Sequence, residues 1–134
     1  MYKVFVIDDH PVVRQNYVLL LRREPGMECC GEAASGYEAI GKIAETTPDI
    51  VVLDVSLQGE MDGIELLSYL QDHFSGLPVL VVSGHDELVY ADKILSLGAQ
   101  GYVMKGDAVA FVQALHQVAN GKVYLSDQMR KRQR

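Results

Sequence analysis

The chain has 134 residues, of which 49% are hydrophobic and 22% are charged. This balance suits one globular domain with a substantial core and argues against intrinsic disorder. The net charge is −6, and four of the twelve bases lie within the last five residues, so the body of the chain is more acidic still. Such a body is a poor match for the phosphate backbone of nucleic acid and suits the binding of cations better.

Cysteine spacing and the longest apolar runs exclude further classes of protein. Cys29 and Cys30 are adjacent and no other cysteine is present, so the chain has neither a disulfide framework nor the spacing of a zinc site. The apolar runs are too short to cross a bilayer, and the N-terminus lacks the pattern of a signal peptide. We therefore expect a cytoplasmic protein with no membrane partner.

The first half of the chain alternates short apolar runs with longer amphipathic stretches. Residues 4–7 are rich in β-branched side chains and predict a strand, and Pro11 suits the first turn of a helix that runs to residue 23. A weaker strand over 28–33 and a helix over 36–46 follow. Residues 50–53 are again almost free of polar side chains, which fits a strand buried on both faces of a parallel sheet.

The second half repeats the alternation. It predicts a helix over 62–74, a buried strand over 78–82, a helix over 86–97 and a short strand over 101–104. The last helix starts after Asp107, which can cap it, and ends before an Asn-Gly pair. Its apolar stripe at helical spacing is formed by Ala108, Phe111, Val112, Leu115, Val118 and Ala119.

A strand followed by a helix, repeated five times, predicts an α/β fold with a five-stranded parallel sheet and five helices in three layers. Right-handed crossovers make the flavodoxin-like strand order 2-1-3-4-5 the leading candidate. Residues 122–134 differ from this body, because a short apolar run is followed by the four bases. We interpret them as a linker or as the start of a further domain.

Polar side chains come directly after several of the predicted strands. Asp8 and Asp9 follow strand 1, Asp54 closes strand 3, Ser83 closes strand 4 and Lys105 follows strand 5. Each has a simpler interpretation alone, such as a helix cap or a solvated charge. The fold, however, places all five at the carboxyl edge of the sheet, near the point where the strand order reverses and ligands bind. Three neighbouring carboxylates repel one another, which favours a hard divalent cation such as Mg²⁺.

The motifs around these residues resemble the receiver (CheY-like) domain of bacterial two-component response regulators. The resemblance assigns residues 1–121 to that domain, and the start and end of the domain are similar to the LuxR-type (NarL/FixJ) subfamily. It is carried by Ile7-Asp8-Asp9-His10-Pro11, Val52-Leu53-Asp54, Met61-Asp62-Gly63, Val82-Ser83-Gly84 and Gly98-Ala99-Gln100-Gly101-Tyr102-Val103-Met104-Lys105.

By this resemblance, Asp54 is the phosphoryl acceptor and takes the group from a sensor histidine kinase. Asp8, Asp9 and Asp54 would hold Mg²⁺ together with the backbone carbonyl of Ser56. The ion and Lys105 would offset charge on the phosphoryl oxygens. The domain would thus catalyse only its own phosphorylation and dephosphorylation and would not be an enzyme in the ordinary sense.

The resemblance also implies a switch and an output. Ser83 would bind the phosphoryl group, and the ring of Tyr102 would turn inward as Ser83 moves. In the LuxR-type subfamily a helix-turn-helix domain follows the receiver, so we expect DNA to be bound only through a C-terminal domain absent from this chain. A homodimer formed through the apolar stripe of the last helix is a further expectation, and the alternative for that stripe is packing on the sheet.

Two departures from the family pattern are visible. The loop after Asp54, residues 56–63, lacks the usual proline and is one residue longer. Gly106 follows Lys105 where the family often has a cis-proline, so we expect a trans bond there.

Three alternatives stay open at this point. A stand-alone or pseudo-receiver that only binds partners is compatible with the altered loop. A phosphatase of the haloacid dehalogenase type needs a second aspartate where Ser56 stands. A flavin-binding flavodoxin needs a phosphate loop after strand 1, where Asp8 and Asp9 would repel phosphate.

Overall fold

Strands and helices alternate along the part of the chain that the structure, a computed structural model, describes. It covers residues 1–84 and 88–125, with only the backbone described for residues 88–90. The elements are β1 Tyr2–Ile7, α1 Pro11–Arg23, β2 Met27–Ala33, α2 Gly36–Thr46, β3 Ile50–Asp54, α3 Gly63–His73, β4 Val79–Ser83, α4 Leu88–Ser96, β5 Gly101–Met104 and α5 Ala108–Ala119. The predicted order of elements is confirmed.

The five strands form one parallel sheet in the order β2-β1-β3-β4-β5, as predicted. The register between β1 and β2 shifts between Val4 and Phe5, and Cys30 is the additional residue at the bulge. Cys29 and Cys30 are both free thiols, each partly buried on this edge strand. Burial raises the pKa of both thiols, so they behave as small apolar side chains.

Alternate residues of the central strands enter two separate core layers. Val4 and Val6 of β1 pack in the layer under α1 and α5, whereas Phe5 and Ile7 pack in the layer under α2, α3 and α4. Every residue of β3 and β4 is buried, which explains why both strands are apolar up to their last residues, Asp54 and Ser83. Complete burial of one such side chain contributes about 1.5–3 kcal/mol to folding.

The apolar stripe of α5 packs on the sheet. Phe111, Leu115 and Val118 are each at most 1% exposed and belong to the layer that they share with α1. The rings of Phe111 and Tyr17 meet with their centroids 4.7 Å apart, which ties α5 to α1. Among the two interpretations of this stripe, the structure therefore supports packing on the sheet.

Helix starts follow the capping residues that the sequence offers. Asp107 accepts a hydrogen bond from the backbone of Ala110, as predicted, and Ser35 caps α2 in the same way. Asp62 and Glu65 form a reciprocal capping box at the start of α3. His10 stands at the N-cap of α1, and its side chain makes no capping hydrogen bond.

The segment after α5 returns to the open edge of the sheet. The backbone of Tyr124 pairs with Gly101 of β5, and its N–H donates to the carbonyl of Gln100 at 2.9 Å. Gly101 permits this approach, because a Cβ atom there would lie 3.3 Å from the Cβ of Tyr124 and 2.8 Å from a methyl group of Leu80. The basic tail and Asp86, the predicted first residue of the fourth helix, lie outside the described residues. No helix among those described is long and apolar enough to span a membrane.

The loop between β3 and α3 is closed by buried apolar anchors in spite of its unusual sequence. Val55 and Leu57 are 3% and 1% exposed, and the N–H of Gly63 donates to the carbonyl of Leu57 at 3.1 Å. Gly59 supplies the positive φ of 118° that turns the chain. The backbone of Gly63 passes so close to Val55 that a Cβ atom would lie 2.3 Å from the Val55 carbonyl oxygen.

We therefore expect Gly63→Ala to lower the free energy of unfolding by about 1–3 kcal/mol, the usual cost of overpacking. Gly41→Ala is the matched control, because no atom lies within 4 Å of a Cβ placed there and alanine favours the helix. Urea denaturation measures both changes. A Gly63→Ala variant as stable as the wild type would show that the loop can move away from Val55.

Candidate functional site

The carboxyl ends of β1, β3 and β5 bring three charged side chains into contact. Asp8 follows β1, Asp54 is the last residue of β3, and Lys105 follows β5. The Nζ atom of Lys105 lies 2.9 Å from Oδ2 of Asp54 and 3.9 Å from Oδ2 of Asp8. Residues that are nearly 100 positions apart thus share one site because parallel strands end at a common edge.

Asp54 is held as an ionised carboxylate despite being 1% exposed. Its Oδ1 accepts hydrogen bonds from the backbone N–H of Ser56 at 3.0 Å and from the Ser56 hydroxyl at 2.7 Å. Burial alone would raise the pKa of Asp54, but the hydrogen bonds from Ser56 and Lys105 outweigh it and leave the pKa below its ordinary value. Sequence reasoning assigned only the carbonyl of Ser56 to the site and did not foresee these two bonds.

Asp8 is equally buried but less well compensated. Its Oδ1 accepts the backbone N–H of His10 at 2.8 Å, whereas its Oδ2 has no hydrogen-bond partner among the described residues. Burial raises the pKa of Asp8, the bond from His10 lowers it in part, and the neighbouring charge of Asp54 raises it again. The ionised form of Asp8 is therefore disfavoured unless a cation lies beside it.

Asp9 and His10 lie beside Asp8 and Asp54 and form one group of potential metal ligands with them. Asp9 has its Oδ1 without a hydrogen-bond partner among the described residues, and its Oδ2 accepts the N–H of Gln58 at 3.4 Å. The Nδ1 atom of His10 lies 3.1 Å from Oδ1 of Asp8 and 3.1 Å from Oδ1 of Asp9. Ligand atoms from Asp8, Asp9, His10 and Asp54 all lie within 4.8 Å of one another. The two orphaned carboxylate oxygens and this spacing fit a divalent cation.

The two predicted switch residues lie on neighbouring strands, Ser83 as the last residue of β4 and Tyr102 as the second residue of β5. Ser83 is fully buried at the end of β4, and its carbonyl accepts the N–H of Lys105 at 2.8 Å, so the two strand ends are joined beside the site. Tyr102 is 5% exposed and packs in the core layer with Ala91 and Ile94 of α4. Its ring is thus directed into the core in this structure.

The loop after β5 carries the second departure from the family pattern. No cis peptide bond occurs among the described residues, so the bond between Lys105 and Gly106 is trans, as expected. Gly106 has a φ of 87°, a conformation that glycine adopts without strain. Tyr17 of α1 lies against this loop, where burial and the charges of Asp8 and Asp54 raise the pKa of its hydroxyl.

Comparison with known proteins agrees with this geometry. Residues 4–116 match the response regulator receiver domain. The chain belongs to this family. The chain is 35% identical over 130 residues to the response regulator GacA of Pseudomonas syringae pv. syringae, which covers 96% of this chain and 60% of that protein. This chain therefore spans less than two thirds of that relative.

Two solved structures support the same assignment. A LuxR-family two-component response regulator from Aurantimonas superposes with a TM-score of 0.90 at 35% identity, over 98% of this chain and 94% of that one. The receiver domain of the response regulator NarL from Mycobacterium tuberculosis gives a TM-score of 0.83 at 31% identity, over 90% of this chain and 98% of that one. The predicted LuxR-type receiver and its fold are confirmed, and the phosphatase and flavodoxin alternatives are set aside.

The unequal environments of the two buried carboxylates lead to a stability prediction. In EDTA at pH 7, Asp8→Asn is expected to raise the melting temperature by roughly 4 °C for each 1 kcal/mol gained. The sign follows from linkage: the raised pKa of Asp8 means that its ionised form destabilises the fold above that pKa, and the penalty disappears as the pH falls through it.

The gain should therefore shrink when the melting curves are repeated at lower pH, toward the ordinary aspartate pKa of about 4. Asp72→Asn on the exposed side of α3 is the control and should change little at either pH. A clear loss of stability in Asp8→Asn at pH 7 would mean that Asp8 acts mainly as a structural acceptor for the His10 amide.

Proposed function

We propose that this receiver domain accepts a phosphoryl group on Asp54 from a sensor histidine kinase. The observation that carries the proposal is the state of Asp54, a buried carboxylate kept ionised by Ser56 and Lys105 at the edge of the sheet. A nucleophile of this kind needs an ionised oxygen and neighbouring positive charge where the transferred group will lie.

Ser56, Asp54 and Lys105 have different roles in the phosphoryl transfer. Ser56 fixes Oδ1 of Asp54 and so sets the orientation of the carboxylate. An oxygen of Asp54 forms the new bond to phosphorus, the bond from phosphorus to the donor nitrogen breaks, and the electron pair stays with the donor imidazole. The bonded carboxylate loses its negative charge, so Lys105 leaves it and pairs with a negatively charged phosphoryl oxygen.

Mg²⁺ fits the remaining oxygen donors. Asp8, Asp9, Asp54 and the backbone carbonyl of Ser56 would hold it, and the ion would supply positive charge beside the phosphoryl oxygens. The orphaned oxygens of Asp8 and Asp9 support this assignment.

Ser83 and Tyr102 are proposed as the switch that reads the modification. The Ser83 hydroxyl would bind the phosphoryl group and draw in the loop after β4. Tyr102 would then be held inward, in the orientation that the structure already has. The surface formed by α4, β5 and α5 would change with it.

The output is proposed from the relatives. One of them, DegU of Brevibacillus brevis, is named as a transcriptional regulatory protein, and this chain spans 52% of it at 31% identity. A solved structure with a similar fold contains two dimers of the protein RcsB bound to DNA. We propose that residues 1–121 control transcription in the cytoplasm through a DNA-binding domain that follows residues 122–134, with homodimer formation as one route.

The chemistry is tested by incubation with acetyl phosphate and Mg²⁺, followed by borohydride reduction and mass spectrometry. Asp54 should be reduced to homoserine, because only an acyl phosphate reacts in this way. The Asp72→Ala variant should be labelled like the wild type, since this exposed carboxylate lies on α3 outside the site. Labelling that survives Asp54→Ala, or that EDTA leaves unchanged, would overturn the assignment.

A further inference from the structure

His10 occupies an unusual position for the first residue of a helix. An N-cap side chain normally accepts a hydrogen bond from the first turn, and serine, threonine, aspartate and asparagine are preferred there. The side chain of His10 makes no such bond, although it stands at the N-cap of α1. Its imidazole is directed instead toward the carboxylates of Asp8 and Asp9.

The distances around the ring match those between ligands of one metal ion. Two neighbouring ligands of an octahedral ion, each about 2.1 Å from it, lie about 3.0 Å apart. The Nδ1 atom of His10 is 3.1 Å from Oδ1 of Asp8, where it is also within hydrogen-bond distance, 3.1 Å from Oδ1 of Asp9 and 3.7 Å from Oδ2 of Asp54. The ring nitrogen can therefore share an ion with all three carboxylates.

Buried, unpaired oxygens give this group an independent reason to bind a cation. Oδ2 of Asp8 is buried without a hydrogen-bond partner among the described residues, in a side chain that is 1% exposed. Oδ1 of Asp9 also has no hydrogen-bond partner among the described residues, although its side chain is 28% exposed and the His10 ring lies 3.1 Å away. A cation held by Asp8 and Asp9 would satisfy these oxygens, and a ring nitrogen of His10 lies within 4.8 Å of the carboxylate oxygens that would hold it.

We propose that Nδ1 of His10 is a ligand of the divalent ion held by Asp8, Asp9 and Asp54, and that the site therefore prefers a first-row transition-metal ion such as Mn²⁺ over Mg²⁺. An all-oxygen site suits Mg²⁺, whereas an added imidazole nitrogen favours transition metals. This inference rests on the acidic metal site of the proposed function and assigns it an additional ligand.

The ligand is detected directly by pulsed electron paramagnetic resonance of bound Mn²⁺. The electron spin echo of the wild type should carry modulation from a ¹⁴N nucleus in contact with the metal. The modulation should be lost in His10→Ser, a variant chosen because serine is a good N-cap and preserves the start of α1. His73→Ala is the matched control, since His73 stacks on Tyr69 in α3 and lies outside the group; it should keep the modulation.

Affinity provides a second readout. His10→Ser should weaken Mn²⁺ binding by about tenfold or more, the scale observed when groups around a metal are removed. Mg²⁺ binding should change much less, because this ion takes oxygen ligands and retains waters. The opposite arrangement, in which the ring donates a hydrogen bond to the carboxylates and keeps an ion out, predicts tighter Mn²⁺ binding in His10→Ser.

The outcomes separate this inference from the proposed function. Mn²⁺ bound without ¹⁴N modulation, or bound at least as tightly by His10→Ser, overturns the role of His10 and leaves phosphorylation of Asp54 intact. If the wild type shows ¹⁴N modulation but Asp54 is not phosphorylated by acetyl phosphate, the role of His10 as a metal ligand is supported and the proposed function is overturned. A wild type that binds neither metal overturns both.

Discussion

The contact between Lys105 and Asp54 is the interaction on which the rest of the site depends. A carboxylate that is 1% exposed is costly to ionise, and a partner 2.9 Å away makes the ionised form favourable. The single ammonium group of Lys105 lies near two buried carboxylates and stabilises the ionised form of one more than that of the other. Asp54 receives the short contact and the bonds from Ser56, whereas Asp8 is left 3.9 Å away with one oxygen unpaired.

This inequality gives the two carboxylates different chemistry. Asp54 is oriented and ionised, as a nucleophile must be. The ionised form of Asp8 is unfavourable in its buried position, and a cation beside it would stabilise that form. The fold therefore favours metal binding at Asp8. The surrounding scaffold supports the arrangement through backbone contacts, such as the bond between the Lys105 amide and the Ser83 carbonyl that joins the ends of β4 and β5.

The sheet edge could be predicted from the sequence because its signals are strong and general. Uninterrupted apolar runs identify buried parallel strands, and the residue after each run then lies at the carboxyl edge. Asp8, Asp54 and Lys105 all follow or close such runs or their neighbouring strand, so the sequence places them at this edge. Their joint position depends only on topology, which the crossover rules restrict to few choices.

Other features depend on side-chain directions that no periodicity encodes. The hydroxyl of Ser56 could have pointed to solvent, but in the folded loop it donates a hydrogen bond to Asp54. The only signal that His10 carries in the sequence is its place directly after two aspartates, at the start of a helix. The return of Tyr124 to the edge of β5 is favoured by the glycine at position 101, whose role is visible only once the strands are packed.

The most direct test of the unequal pair is a titration of its carboxyl groups by ¹³C nuclear magnetic resonance in EDTA. We expect the carboxyl carbon of Asp54 to titrate with a pKa below the ordinary aspartate value of 3.8 and that of Asp8 to titrate with a pKa above it. Asp54 titrating above Asp8 would contradict the account, because the short contact with Lys105 would then not decide which carboxylate is ionised.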